Sequence, residues 1–164
     1  MLIFCASCTP SSTSSNTNTP EVNSSTEKLD AAIKKNPKDA NLFFLRSKMY
    51  HGLKKDSLAL ADLYQAVKLD STKATYYSAI GDILFEHKDI SGSAIWIQKA
   101  IERNPDDQLA HLKLAKLFLF IEEYPKAFTE INTVLRSDVY NAEAYFLKGM
   151  VYKNMSDTTR AISS

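Results

Sequence analysis

Residues 74–107 read ATYYSAIGDILFEHKDISGSAIWIQKAIERNPDD, and residues 108–141 read QLAHLKLAKLFLFIEEYPKAFTEINTVLRSDVYN. Laid one over the other, they place Tyr77 over His111, Gly81 over Ala115, Leu84 over Phe118 and Ser93 over Ala127. Each stretch carries two apolar stripes at helical spacing, parted by a polar break at Lys88-Asp89 or Glu122-Glu123. The pattern predicts a helix, a tight reversal and a second helix.

The same register of 34 residues extends both ways along the chain. Phe43 and Tyr145 join the first column, Ser47 and Gly149 the small one, Tyr50 and Tyr152 the bulky one. Ala59 and Ala161 join Ser93 and Ala127. Near each unit's end, Ala32, Ala66, Ala100 and Val134 align, followed by Ile33, Val67, Ile101 and Leu135. The units close at Asn36-Pro37, Asp70-Ser71, Asn104-Pro105 and Asp138-Val139. Further polar breaks fall at Lys54-Lys55 and Ser156-Asp157. Complete units are therefore expected at 40–73, 74–107 and 108–141, with a truncated one at 142–164 whose second helix begins at Thr158. Residues 27–39 read as the second helix and close of an incomplete unit.

Local chemistry agrees. The small residue of the first helix lets the second approach closely, where a larger side chain would overpack. Pro37 and Pro105 stop the helices before them, and Pro125 suits a first helical position. Asp89 and Asp157 are placed to cap the helices that follow. Ser24 with Glu27 forms a capping box for the first helix. One hairpin cannot bury its apolar face alone, so stacked neighbours must supply a continuous core.

This order of aromatic, small, bulky and alanine positions resembles the tetratricopeptide repeat. The resemblance implies an all-α fold, a right-handed solenoid of stacked antiparallel helix pairs. Departures are modest: Ser71 and Val139 replace the closing proline, and His111 an aromatic. Arg46 and Lys148 precede the small residue, as in one subset of these repeats.

The resemblance also implies a concave groove, lined by the first helix of each unit, in which a protein or peptide partner lies. Carried over position by position, the first unit supplies Asn41, Phe44, Lys48 and His51. The second supplies Thr75, Ser78, Asp82, Phe85 and Glu86, and the third Leu109, Leu112, Lys116, Leu119 and Phe120. The truncated unit supplies Glu143, Phe146, Met150 and Lys153. The expected partner contacts among these positions are Phe44, Lys48, Phe85, Leu109, Leu112, Lys116, Leu119, Phe120 and Phe146. The third unit is mostly apolar there, which points to a partner's apolar face or to another part of this chain folded over it. A subgroup of the family grips acidic C-termini of cytosolic chaperones with Lys, Arg and Asn. Here Phe44, Ala79 and Leu109 stand where that clamp needs polar or basic groups, although Lys48 and Lys113 are basic. The clamp is not supported.

Nothing in the chain points to catalysis or a cofactor. There is no glycine-rich phosphate loop and no nucleophile elbow. Of the three histidines, His111 falls in a core column and is expected to pack as a neutral side chain, while His51 and His87 fall near the ends of first helices. No two have the i, i+4 spacing of a zinc helix, so no metal is expected. The acidic pairs Asp106-Asp107 and Glu122-Glu123 lie at turns, where caps explain them. A formal net charge of +1 gives no basic face for nucleic acid.

The first residues are a separate object. Met1-Leu2-Ile3-Phe4 runs into Ala6-Ser7-Cys8, and residues 9–26 are rich in Ser, Thr, Asn and Pro. Such a polar stretch lacks the apolar surface to offset ordering, so it is expected to be a disordered tether. The opening resembles the end of a bacterial lipoprotein signal peptide, with Cys8 as the lipidated residue and a lipid anchor at the outer membrane of the cell envelope. Cys5 stands where such a motif usually has Leu, and a basic segment does not precede the apolar run. Cys5 and Cys8 also form a C-x-x-C, without partner ligands nearby, and a plain disordered terminus is the third reading. No later apolar run approaches the roughly 20 residues that span a bilayer. The expected function is a non-catalytic scaffold that binds protein, tethered to the envelope. The alternatives are a cytoplasmic adaptor, or the binding region of a longer protein.

Overall fold

The computed structural model describes the backbone of residues 20–162 and the side chains of residues 26–156. Among them the alternation of apolar stripes and polar breaks resolves into eight helices and no strand. These are α1 (Pro20–Lys35), α2 (Ala40–Gly52), α3 (Asp56–Leu69), α4 (Ala74–Glu86), α5 (Ile90–Arg103), α6 (Gln108–Phe120), α7 (Tyr124–Ser137) and α8 (Ala142–Ile162). The most extensive contacts join α2 to α3, α4 to α5 and α6 to α7, and each pair packs on the next. The architecture is an all-α solenoid of stacked helix pairs.

The reversals inside the pairs share one device. Lys54, Lys88 and Glu122, one period apart, adopt positive φ of 58°, 63° and 61°. Around each, the chain closes back on the helix: Lys55 N–H donates to Tyr50 O at 2.8 Å, Asp89 N–H to Leu84 O at 2.9 Å, and Glu123 N–H to Phe118 O at 2.8 Å. These are Schellman closures without the usual glycine. A non-glycine residue in this region costs roughly 1–2 kcal/mol. The returning helix offsets that by burying Ala59 and Leu63 in α3, Ser93 and Ile97 in α5, and Ala127 and Ile131 in α7. Each fully buried Leu or Ile contributes about 1.5–3 kcal/mol, so burial wins.

The small column does what its size predicts. A Cβ built on Gly81 would lie 2.7 Å from Ile97 Cδ1, and Ser93 Oγ donates to Gly81 O at 2.8 Å. Ser47 is buried and donates to Phe44 O at 2.6 Å. Helix starts are capped by Asp39, Asp89, Asp107 and Asn141, whose side chains accept from Asn41, Gly92, Ala110 and Ala144 N–H respectively. Pro125 sits in the first turn of α7.

Arg46 ties three helices together. Its Nε and Nη2 donate to the two oxygens of buried Asp62 in α3, and Nη1 donates to Asp30 in α1, each at 2.7 Å. The bidentate bond to Asp62 holds the guanidinium pKa above its already high ordinary value.

Three expectations are corrected here. First, α1 begins at Pro20, so Ser24 lies inside the helix and Ser24-Glu27 does not cap it. Proline suits the first helical position, and the last residues assigned to the tether are helical instead. The remainder of that tether, with Cys5 and Cys8, lies outside the described residues. Second, the backbone of α8 is helical through Ser156-Asp157, so no second helix begins at Thr158. Ser156 donates its hydroxyl to Tyr152 O at 2.9 Å, a bond within the helix. Third, His111 is buried but not in apolar surroundings: Nδ1 lies 2.6 Å from Glu130 Oε2 and Nε2 2.9 Å from Pro105 O. Polar contacts on both ring nitrogens hold this side chain in place.

Candidate functional site: a groove along the first helices

Because α2, α4 and α6 are the first helices of consecutive units, their outward faces line up beside one another. They enclose a groove of about 650 Å³, lined by Phe44, Lys48 and His51 from α2, by Thr75, Ser78, Asp82, Phe85 and Glu86 from α4, and by Leu109 from α6. Three units' worth of expected positions meet there. Phe85 and Leu109 are 50% and 58% exposed, a large apolar surface for residues on ordered helices. Phe44 is half-buried, its ring 5.0 Å from that of Tyr76, and Lys48 Nζ stands 5.8 Å over the Phe44 ring.

Two of the groove's acidic groups, Asp82 and Glu86, meet basic side chains of neighbouring units. Lys113 Nζ donates to both oxygens of Asp82, at 2.7 and 2.8 Å. Glu86 lies 3.3 Å from His51 Nε2 and 3.5 Å from Lys54 Nζ. At the rim, Asp56 meets His51 Nδ1 at 2.7 Å and His87 Nε2 at 2.9 Å. The bond to His51, then that to His87, holds the Asp56 carboxyl below the usual carboxylate range. Among the described residues no group of His, Cys, Asp and Glu is arranged to hold a metal ion.

A second hollow, of about 330 Å³, lies between α6 and α8 and gathers Lys116, Leu119, Phe120, Phe146 and Met150. Phe120 and Phe146 are 69% and 67% exposed and form its walls. Lys116 pairs with Glu143 across it. Asn41 and Lys153 line neither hollow.

Leu112 does not belong to the groove surface. It is 4% exposed and shares a core cluster with Ala144, Leu147 and Val151 of α8. Phe44 stands in the same column two units earlier and packs on Tyr76, the counterpart of Ala144. That column is the seam between successive first helices. Leu119 is likewise mostly core at 8% exposure and shows only an edge to the second hollow. Residues that sequence reasoning left out of the groove are Ala79, Asp107 and Lys113, together with the buried Ser47, Leu63 and Ile83 at its floor. Lys113 was legible in principle: it follows Asp82 by 31 positions, one period less one helical turn.

The fold is a helical-pair solenoid with a groove along its first helices. Residues 142–164 match the family model described as the tetratricopeptide repeat. The crystal structure of MamA superposes with a TM-score of 0.75 at 20% identity, covering 87% of this chain and 84% of that one. A tetratricopeptide repeat protein from Parabacteroides merdae gives 0.78 at 18% identity, covering 84% and 55%. YrrB, described as a protein of this type with an unusual peptide-binding site, gives 0.71 at 16% identity, covering 83% and 70%. At such identities the likeness shows the fold. No curated protein matches the chain by sequence. No helix among the described residues is long and apolar enough to cross a membrane.

Proposed function

We propose that the protein is a non-catalytic scaffold that binds a peptide or helix of another protein in the groove between α2, α4 and α6. The observation that carries this reading is the exposed apolar pair Phe85 and Leu109 on ordered helices, in a groove where Asp82 and Glu86 already meet basic side chains of this chain. A helix or extended segment placing apolar side chains there would remove that surface from water at about 25 cal/mol per Å². YrrB, a protein of the same fold with an unusual peptide-binding site, supports the same use.

The test places a photo-crosslinking residue at Leu109 and, as a comparison, at Tyr64 on α3, which does not line the groove. A discrete protein adduct in the native host is expected from position 109 and not from 64. Leu109→Glu should abolish the interaction while leaving helix content unchanged, since a buried unpaired carboxylate costs several kcal/mol in the complex. Equal adducts from both positions would sink the groove reading.

The sequence Ala6-Ser7-Cys8, followed by a polar stretch, supports a second element of the proposal. Lipid attached at Cys8 tethers the array to the bacterial cell envelope. Stable anchoring needs more than one acyl chain, which a processed lipoprotein carries. Cys8→Ser should then move the protein from the membrane fraction to the soluble one. Unchanged partition favours the cytoplasmic adaptor instead.

A further inference from the structure

The outer faces of α3 and α5 carry a paired pattern that core packing does not use. Tyr64 and Lys68 stand four residues apart on α3, Ile95 and Lys99 four apart on α5, so each pair shares one face of its helix. Tyr64, Lys68 and Ile95 are exposed. Trp96, the one tryptophan of the chain, is half-buried and packs on the cluster that holds Ala59 and Leu63 of α3. Its ring lies 5.5 Å from that of Tyr64 and 5.8 Å from that of Tyr77. Lys99 Nζ rests 4.5 Å over the indole, and Arg103 Cζ 4.5 Å over Tyr77. Every carboxylate of the two helices is engaged: Asp56 by His51 and His87, Asp62 by Arg46, Glu102 by Arg103. Among the described residues no carboxylate pairs with Lys68 or Lys99. The result is an aromatic and aliphatic strip flanked by surplus positive charge.

We propose that this strip rests on the surface of an anionic lipid bilayer, with Tyr64, Trp96 and Ile95 at the headgroup level and Lys68 and Lys99 on lipid phosphates. Three features favour lipid over an acidic protein. Tyr and Trp each present an apolar body and a polar tip, which seats them at the boundary between hydrocarbon and water. Lysine is depleted at protein–protein interfaces, whereas at a bilayer its stem covers apolar surface while the ammonium reaches a phosphate. The unpaired charge is all of one sign, the complement of an anionic leaflet, where each lysine strengthens attachment roughly fivefold. Contact of this strength is reversible and sets orientation. A protein lying on α3 and α5 leaves the groove along α2, α4 and α6 open to a partner. The inference depends neither on the groove reading nor on lipid at Cys8.

The test titrates the full chain carrying Cys8→Ser with vesicles of phosphatidylcholine alone, or of phosphatidylcholine and phosphatidylglycerol in equal parts. Trp96, as the sole indole, reports on the strip directly. Its emission should shift to the blue, and lipid brominated near the headgroup should quench it, in the mixed vesicles and not in phosphatidylcholine alone. Lys68→Gln combined with Lys99→Gln should weaken attachment about tenfold or more. Ile95→Ser, at an exposed position, should weaken it as well. Circular dichroism and Tm verify that these variants fold. Leu109→Glu should leave attachment unchanged. Absence of attachment to the mixed vesicles overturns the proposal. Attachment that leaves Trp96 unquenched, or that is indifferent to the lysine variants, also overturns it, because lipid then meets another face. So does poly-glutamate that binds more tightly than the mixed vesicles and shifts Trp96 in their place, which makes the occupant an acidic protein segment.

Discussion

Gly81 and Gly149 hold the same place in the repeat and meet opposite surroundings, so they respond differently to the same change. Gly81→Leu forces a branched side chain against Ile97 and the Ser93 carbonyl, and thermal or urea unfolding should register a loss of roughly 1–3 kcal/mol. An unchanged midpoint would mean that α4 and α5 part more readily than their packing implies. A second contrast separates Leu109 from Leu112, three residues apart on α6. Leu112→Glu buries a carboxylate beside Ala144, Leu147 and Val151 and should destabilise by about 3 kcal/mol or more, whereas Leu109→Glu should be nearly neutral. Equal effects would show that both leucines face the same surroundings. Here lies the limit of what the residues disclose on their own. Periodicity identified the columns, because Tyr77, Gly81 and Ser93 recur in kind at a fixed interval. It did not divide α6 into seam and groove, because both leucines are apolar and only the seating of α8 tells them apart.

At the scale of the helix, a few charged residues decide what is joined to what. Arg46 holds α1 and α3 to α2, and its partner Asp62 is buried. Arg46→Ala leaves that carboxylate without a counter-charge, and a loss of about 3–5 kcal/mol is expected in chemical denaturation. If Asp62→Asn combined with Arg46→Ala lost as much as Arg46→Ala alone, the penalty would come from packing rather than charge. Asp56 links the reversal after α2 to the end of α4. Its carboxyl is held below the usual range chiefly by the bond to His51, so its contribution is present above the unfolded pKa of about 3.9 and is lost as pH falls through the lower folded value. Asp56→Asn should therefore be less stable than wild type at pH 5, with the gap closing below pH 4. A gap that widens toward low pH would reverse the assigned direction. Reversals show why α8 escaped the sequence reading. Lys54-Lys55, Lys88-Asp89 and Ser156-Asp157 look alike as polar breaks, yet the first two adopt a left-handed residue and turn, while α8 runs on through the third.

Across the whole molecule, apolar clusters run from Ala40 through Val151 and give the stacked pairs their continuity. Ionic links complement them along the face of the first helices: Lys54 to Glu86, Lys113 to Asp82 and Lys116 to Glu143, each reaching from one unit into the next. Partly exposed pairs of this kind are screened by salt, over a Debye length of about 10 Å at 0.1 M and 3 Å at 1 M. Small-angle scattering should then record a larger radius of gyration at 1 M sodium chloride than at low salt, with helix content constant. An invariant radius would assign the pitch to apolar packing alone. The links act as the coils of a weak spring, and ionic strength sets its stiffness. A ligand that bridges α2 and α6 must match the spring's resting length, so the surrounding electrolyte tunes which ligands fit without altering a single residue of the groove.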